Sequence, residues 1–194
     1  MTVKLLAFAG SLRKESFNKK LAKLLADYGK EAGAEVEFID LADLPMPLFN
    51  EDDEAENGIH ENALKLKQKM NEADGFIITS PEYNGSYSGV LKNTIDWASR
   101  QAEGEGILES FKDKYAAIFS TSPGAFGGLR SLSQLRLLLS GIGTTVLSTQ
   151  VAIPKANDAF DESGNLVSEK RVSSLQAVVS RLVKTCAAMK TAMK

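Results

Sequence analysis

Four side chains set close together carry the first chemical hint: Ser11, Arg13, Ser16 and Asn18. Two hydroxyls, a guanidinium and a carboxamide form a donor set suited to a phosphate monoester. They follow the apolar run 3–9, which ends at Gly10 and reads as a buried parallel strand. Ser16 and Asn18 stand where a helix should begin, and the free N–H groups of a helix start are a natural anion site. A Ser16 N-cap would want Glu or Gln three positions on. Lys19 stands there instead, followed by Lys20 and preceded by Arg13 and Lys14. Cations at a helix N-terminus oppose the macrodipole, and Glu15 offsets only one of them, so a bound anion would resolve the conflict. A solvated basic turn with a serine cap is the plainer reading of the same residues.

The loop matches neither G-x-G-x-x-G nor G-x-x-x-x-G-K-[ST], the dinucleotide and nucleoside-triphosphate signatures. It holds no cysteine, which excludes a phosphatase with a Cys nucleophile there. Two other loops are unusual in composition. PEYNGS, 81–86, follows the apolar run 75–80 and offers Tyr83, Asn84 and exposed backbone. SPGAFGG, 122–128, follows the run 115–121 and offers bare backbone and Phe126.

The elements that must position these loops alternate along the chain. Strands are expected at 3–9, 35–40, 75–80, 115–121 and 144–151. Helical spacing marks Leu21, Leu24, Leu25 and Tyr28; Ile59, Ala63, Leu66 and Met70; 91–99; 129–142; and Val172, Leu175, Val179, Leu182 and Cys186. Prolines 45 and 47 forbid a regular element, and the acidic stretch 51–58 reads as a surface loop. Five strands alternating with five helices give an α/β fold, a doubly wound parallel sheet covered on both faces. In strand order 2-1-3-4-5 the loops after strands one, three and four line one crevice at the switch point. A phosphate at one end and a flat heteroaromatic ring at the other fit that layout, and FMN is such a ligand.

The chain has 194 residues, 43% hydrophobic and 25% charged, with a formal net charge of −2. That suits one domain over 1–194 and gives no basic field for nucleic acid. The early charge Lys4 and the short apolar run do not form a secretory signal, and no stretch approaches a membrane span. The single cysteine, Cys186, has no partner for an internal disulfide, so a cytoplasmic setting is expected.

GSLRKESFN, PEYNGSYSGVLKNTIDW and SPGAFGGLR together resemble, in order and spacing, the signature of the NADPH-dependent FMN reductase family. The resemblance spans nearly the whole chain, and PEYNGS followed by KN-x-x-DW is its most specific part. It implies a flavodoxin-like fold and a flavoprotein like the family's azoreductases, quinone reductases and chromate reductases. It implies that Ser11, Arg13, Ser16 and Asn18 hold the FMN phosphate, with the Phe17 backbone. Pro81, Glu82, Tyr83 and Asn84 would lie along the isoalloxazine, Gly85 and Ser86 would complete the turn, and Ser122, Pro123 and Gly124 would approach from the other loop. Flavin N5 would accept hydride from the co-substrate NADPH or NADH and pass electrons to a small-molecule acceptor by ping-pong kinetics. A homodimer or homotetramer is implied, with no nucleic-acid or membrane partner. No catalytic acid or base and no metal is expected. His60 reads as a solvated or capping residue, Cys186 as packing, and Asp96 and Trp97 as packing and capping. A flavodoxin-like electron carrier is the alternative, and a flavin-free member of the fold is a further one.

Overall fold

The computed structural model describes residues 2–192. Among them are six strands: β1 (Lys4–Ala9), β2 (Glu35–Ile39), β3 (Gly75–Thr79), β4 (Tyr115–Thr121), β5 (Thr145–Val146) and β6 (Val151–Ile153). Seven α-helices accompany them: α1 (Phe17–Glu31), α2 (Glu51–Asn57), α3 (Glu61–Glu72), α4 (Gly89–Ala98), α5 (Leu129–Gly141), α6 (Ala156–Ala159) and α7 (Glu169–Ala192). The sheet runs β2-β1-β3-β4-β5, all parallel, with β6 also paired to β4. This is the 2-1-3-4-5 order in which the three unusual loops share one crevice, with one extra strand.

The central strands are apolar throughout because both of their faces are covered. Side chains alternate between the faces with the pleat. Leu5, Ala7, Ile77, Ala117 and Phe119 pack with Leu21 and Leu25 of α1 and Leu175, Val179 and Leu182 of α7. Leu6, Phe8, Phe76, Ile78 and Ile118 pack with Leu66 and Met70 of α3, Leu91 and Ile95 of α4 and Leu132, Leu135 and Leu139 of α5.

Three side chains, Trp97, Asn93 and Lys67, hold segments that lie outside these layers. The Trp97 indole N–H donates to the Pro47 carbonyl at 2.9 Å, and Asn93 Nδ2 donates to the same oxygen at 2.8 Å. Asn93 Oδ1 accepts from the Phe49 N–H at 2.7 Å. The KN-x-x-DW motif thus anchors the proline segment that no regular element could hold. The connector 99–114 is fastened by buried Lys67, whose Nζ lies 2.8 Å from Glu105 and donates to the Ala98 carbonyl at 3.2 Å.

Two expectations are corrected. Residues 51–58 are not a loop, because Glu51–Asn57 form α2. Asn50 caps it, its Oδ1 accepting from the Asp52 N–H at 3.0 Å, and four acidic residues occupy its first turn, where the macrodipole favours them. No α2 residue is buried, so the run is solvated as its charge implies, and only its backbone departs from expectation. The expected strand 144–151 is interrupted at 147–150, and pairing with β4 resumes only at Val151.

Candidate functional site

Loops after β1, β3 and β4 meet beyond the C-terminal ends of these strands. From the first, Ser11, Arg13, Ser16, Phe17 and Asn18 line a cleft. Ser16 is the α1 N-cap, its Oγ accepting from the Lys19 N–H at 3.4 Å. Ser11 Oγ accepts from the Arg13 N–H at 3.4 Å. Each hydroxyl therefore receives a backbone N–H and keeps its own proton to donate. The Phe17 and Asn18 N–H groups, in the first turn of α1, have no acceptor among the described residues. The cationic conflict expected from the sequence is smaller than the residue types suggest. Lys19 turns away to Asp40 at 2.7 Å and Lys20 pairs with Glu15 at 3.5 Å. Arg13 forms no ion pair among the described residues and remains exposed at the cleft.

Asn18 is buried, and its carboxamide imitates a strand neighbour. Nδ2 donates to the Thr121 carbonyl at 2.9 Å, and Oδ1 accepts from the Thr121 N–H at 3.1 Å. Thr79 Oγ1 donates to the Asn18 carbonyl at 2.9 Å. One residue thereby joins the first turn of α1 to the ends of β3 and β4.

The second loop contributes Pro81, Glu82 and Tyr83 to the cleft. Tyr83 and Ser86 exchange backbone hydrogen bonds at 2.9 and 3.1 Å around Asn84 and Gly85. Both central residues have positive φ, +52° and +83°, the signature of an Asn-Gly type I′ turn. The turn holds Tyr83 outward, half its surface exposed. The Glu82 carboxylate is buried at the start of α5. It accepts from the Arg130 N–H at 3.0 Å and from Arg130 Nε at 2.6 Å. It thus satisfies an orphan N–H of α5 and complements the positive end of that helix.

The third loop contributes Thr121, Ser122 and Pro123. It docks on the β6 strand and the turn beyond it. Ser122 N–H donates to the Ile153 carbonyl at 3.3 Å, Ala156 N–H to Ser122 O at 3.0 Å, and Lys155 N–H to Gly124 O at 3.2 Å. Phe126 stands at the rim, 69% exposed.

The structure thus brings together ten of the residues singled out from sequence: Ser11, Arg13, Ser16, Phe17, Asn18, Pro81, Glu82, Tyr83, Ser122 and Pro123. Asn84, Gly85, Ser86 and Gly124 belong to the same loops but do not line the inner cleft. Thr121 lines it and was missed. As the last residue of an apolar strand it reads as core, and its position at the strand's C-terminal end was the available signal. The residues set aside from chemistry sit elsewhere. His60 caps α3, its Nδ1 accepting from the Asn62 N–H at 3.2 Å. Trp97 is buried, and Asp96 pairs with Lys92 at 2.6 Å. Burial, with the nearby Asp74 carboxylate, pushes the Cys186 thiol up to about 12, so it stays protonated and unreactive at neutral pH.

The family model of the NADPH-dependent FMN reductases matches residues 3–158. A 2-hydroxy-1,4-benzoquinone reductase of Burkholderia sp is 35% identical over 182 residues, covering 93% of this chain and 94% of the relative. An NADPH:quinone oxidoreductase of Arabidopsis thaliana is 38% identical over 188 residues, covering 93% and 90%. Among solved structures, the flavoenzyme NAD(P)H:(acceptor) oxidoreductase FerB of Paracoccus denitrificans superposes with a TM-score of 0.81 at 33% identity, covering 96% of this chain and 98% of that one. With the sheet order, the three-loop cleft and these matches in agreement, the chain belongs to the NADPH-dependent FMN reductase family.

Proposed function

We propose that the cleft holds FMN and that the chain carries electrons from NADPH or NADH, through that flavin, to a small acceptor: a quinone, an azo compound, a free flavin or a metal oxyanion. The observation that carries this reading is the pole of the cleft at α1. Two N–H groups and a guanidinium without partners among the described residues converge there with two hydroxyls that accept backbone N–H groups and retain a proton to donate. Such a set fits a phosphate dianion. Asn18 adds at most its second Nδ2 hydrogen, the first being held by Thr121.

At the other pole Pro81, Tyr83 and Pro123 give apolar surface for a flat ring, with the Asn84–Gly85 turn, Ser86, Ser122 and Gly124 at its margins. Glu82 is clamped by Arg130, so its charge serves the loops rather than proton transfer. Bound there, FMN supplies hydride acceptance and onward electron delivery, while the protein supplies position and electrostatics. The reading takes residues 1–194 as one FMN-binding domain in the cytoplasm, where a reduced, buried Cys186 is at home. It takes the working unit as a homodimer or homotetramer. Leu12, Tyr83, Phe126 and Leu129 support that, being 46–69% exposed on the same loops and at the start of α5. Among the described residues no helix is long and apolar enough to cross a membrane.

The test is an anaerobic absorbance titration of the FMN-loaded protein with NADPH. Bleaching of the flavin band near ~450 nm is expected. A band that forms but stays unbleached with both NADPH and NADH would overturn the reading in favour of an electron carrier. Arg13→Ala is expected to weaken FMN binding by about 1.5–3 kcal/mol through lost charge-assisted bonds. Titration of FMN fluorescence quenching measures this, and an unchanged dissociation constant would remove Arg13 from the phosphate pole.

A further inference from the structure

The edge of the sheet beside β4 contains an irregularity with an unusual partner. Val146 pairs with Ala116 and Val151 with Phe119, so five steps along this edge face three along β4. The two surplus residues take the chain out of the ladder after Leu147, whose N–H still donates to the Ala116 carbonyl at 2.8 Å. A single side chain gathers the carbonyls where the chain departs, those of Val146, Leu147 and Ser148. Arg136, half-buried on α5, donates from Nη1 to the Val146 carbonyl at 3.1 Å. Its Nη2 donates to the Leu147 carbonyl at 2.7 Å and the Ser148 carbonyl at 3.3 Å. Its Nε donates to Gln150 Oε1 at 3.1 Å. No carboxylate pairs with Arg136 among the described residues. Its charge is answered by backbone dipoles and one amide alone, which is how a guanidinium fork clamps a fixed backbone geometry.

Beyond the irregular stretch, β6 and its turn form the scaffold of the third cleft loop. Ile153 O accepts from the Ser122 N–H and from Thr121 Oγ1 at 3.0 Å. Gly127 lies flat against the same segment: a Cβ there would come within 2.5 Å of the Ile153 carbonyl carbon. The register in which β6 returns to β4 therefore sets where Thr121, Ser122 and Pro123 stand relative to Ser11 and Pro81. Arg136 does not line the cleft.

We infer that Arg136 is a positioning residue of the cleft: by holding the carbonyls of 146–148 it fixes the return of β6, and through Ile153 the place of the third loop. The inference rests on the FMN reading for its effect on binding, but its structural half stands without the flavin. Two variants test it, Arg136→Ala and Arg136→Lys, the latter keeping the charge and losing the fork. Amide hydrogen exchange on protein without flavin is the first readout. Exchange at 122–128 and 151–156 is expected to rise about tenfold or more in Arg136→Ala, with β1 and β3 protected as before. FMN affinity, measured well below each variant's melting midpoint, is the second. The dissociation constant is expected to rise about tenfold in Arg136→Ala and less in Arg136→Lys, as a displaced binding loop requires.

A variant that loses melting temperature but keeps wild-type exchange at 122–128 and wild-type FMN affinity would confine Arg136 to stability and overturn the inference. So would a rise in exchange spread evenly over all strands. If Arg136→Ala does not fold, Arg136→Lys decides by the same two measurements. If the wild-type protein binds no FMN, the proposed function fails, and the exchange pattern alone still decides the role of Arg136.

Discussion

Replacing Lys67 by methionine is expected to remove about 3 kcal/mol of stability, at the lower end of what breaking a buried ion pair costs. Its side chain is 2% exposed and its partner Glu105 is 17% exposed. The pair sits in a closed polar network. Lys67 Nζ also donates to Ser110 Oγ at 3.3 Å, Asn71 Nδ2 donates to Glu105 Oε1 at 2.8 Å, and Ser110 Oγ donates to Asn71 Oδ1 at 2.8 Å. Methionine fills the space of the stem but leaves a carboxylate without its cation. For a chain of this size the melting midpoint should fall by roughly 6–12 °C.

The pH dependence distinguishes this mechanism from simple loss of packing. Burial pushes the Glu105 carboxyl up, but the Lys67 ammonium, the Ala102 N–H and Asn71 outweigh it and leave it below its ordinary value of 4.5. A depressed carboxyl contributes stability above its unfolded-state pKa and loses it as pH falls through the folded one. In the wild type that contribution is therefore present at neutral pH and fades below 4.5. In Lys67→Met the same carboxyl loses the ammonium that helps to hold it down, so protonation costs it less than in the wild type, and the difference between the two proteins should shrink as pH falls. Chemical denaturation at neutral and acid pH measures it. A difference that does not vary with pH would show that Glu105 is not the group left stranded.

Gly128→Ala is the second change with a large expected effect. Gly128 precedes α5 with φ of +89°, a region that costs a residue with a Cβ about 1–2 kcal/mol. The new Cβ would also stand 1.8 Å from Ser120 Oγ and 2.9 Å from Ser120 Cβ. That hydroxyl donates to the Ser80 carbonyl at 2.7 Å and ties the ends of β3 and β4 together. Displacing it leaves a buried carbonyl unpaired, for a total of about 3 kcal/mol. Ser80 and Ser120 immediately precede the loop residues that line the cleft, so FMN affinity should fall with stability. Ser120→Ala in the same chain removes the closest clash but not the one to Cβ. It should restore part of the loss, and a double-mutant cycle reads the coupling. Strict additivity of the two changes would refute the proposed collision.

The sheet order was legible because every central strand is an apolar run followed by a loop of unusual composition. Family membership was legible in the motifs. What stayed hidden depends on contacts distant in sequence. The interruption at 147–150 has no local signal, since TTVLSTQV reads as a continuous strand and the side chain that supports the break lies on α5. Lys19 looked like part of a cationic cluster because its partner, Asp40, is brought near only by the pairing of β1 with β2. Asn18 and Glu82 were singled out for a cofactor. Most of their hydrogen-bonding capacity joins the loops that form the cleft, a role that residue type alone does not reveal. The helix at 51–57 was the avoidable miss, with a capping Asn50 and an acidic first turn both visible in the sequence.

The interruption beside β4 has a second consequence, for how these molecules meet in a crowded solution. A sheet must end somewhere, and an open edge with unpaired N–H and C=O groups invites another molecule to add a strand. On this side the open edge is two pieces, β5 of 2 residues and β6 of 3, displaced by a kink. An intruding strand could find register with one piece but not both. At the opposite edge β2 carries Glu35 and Glu37, and Lys69 of α3 reaches over to Glu37 at 2.8 Å. Charge guards one border and discontinuity the other, so the fold resists edge-to-edge aggregation.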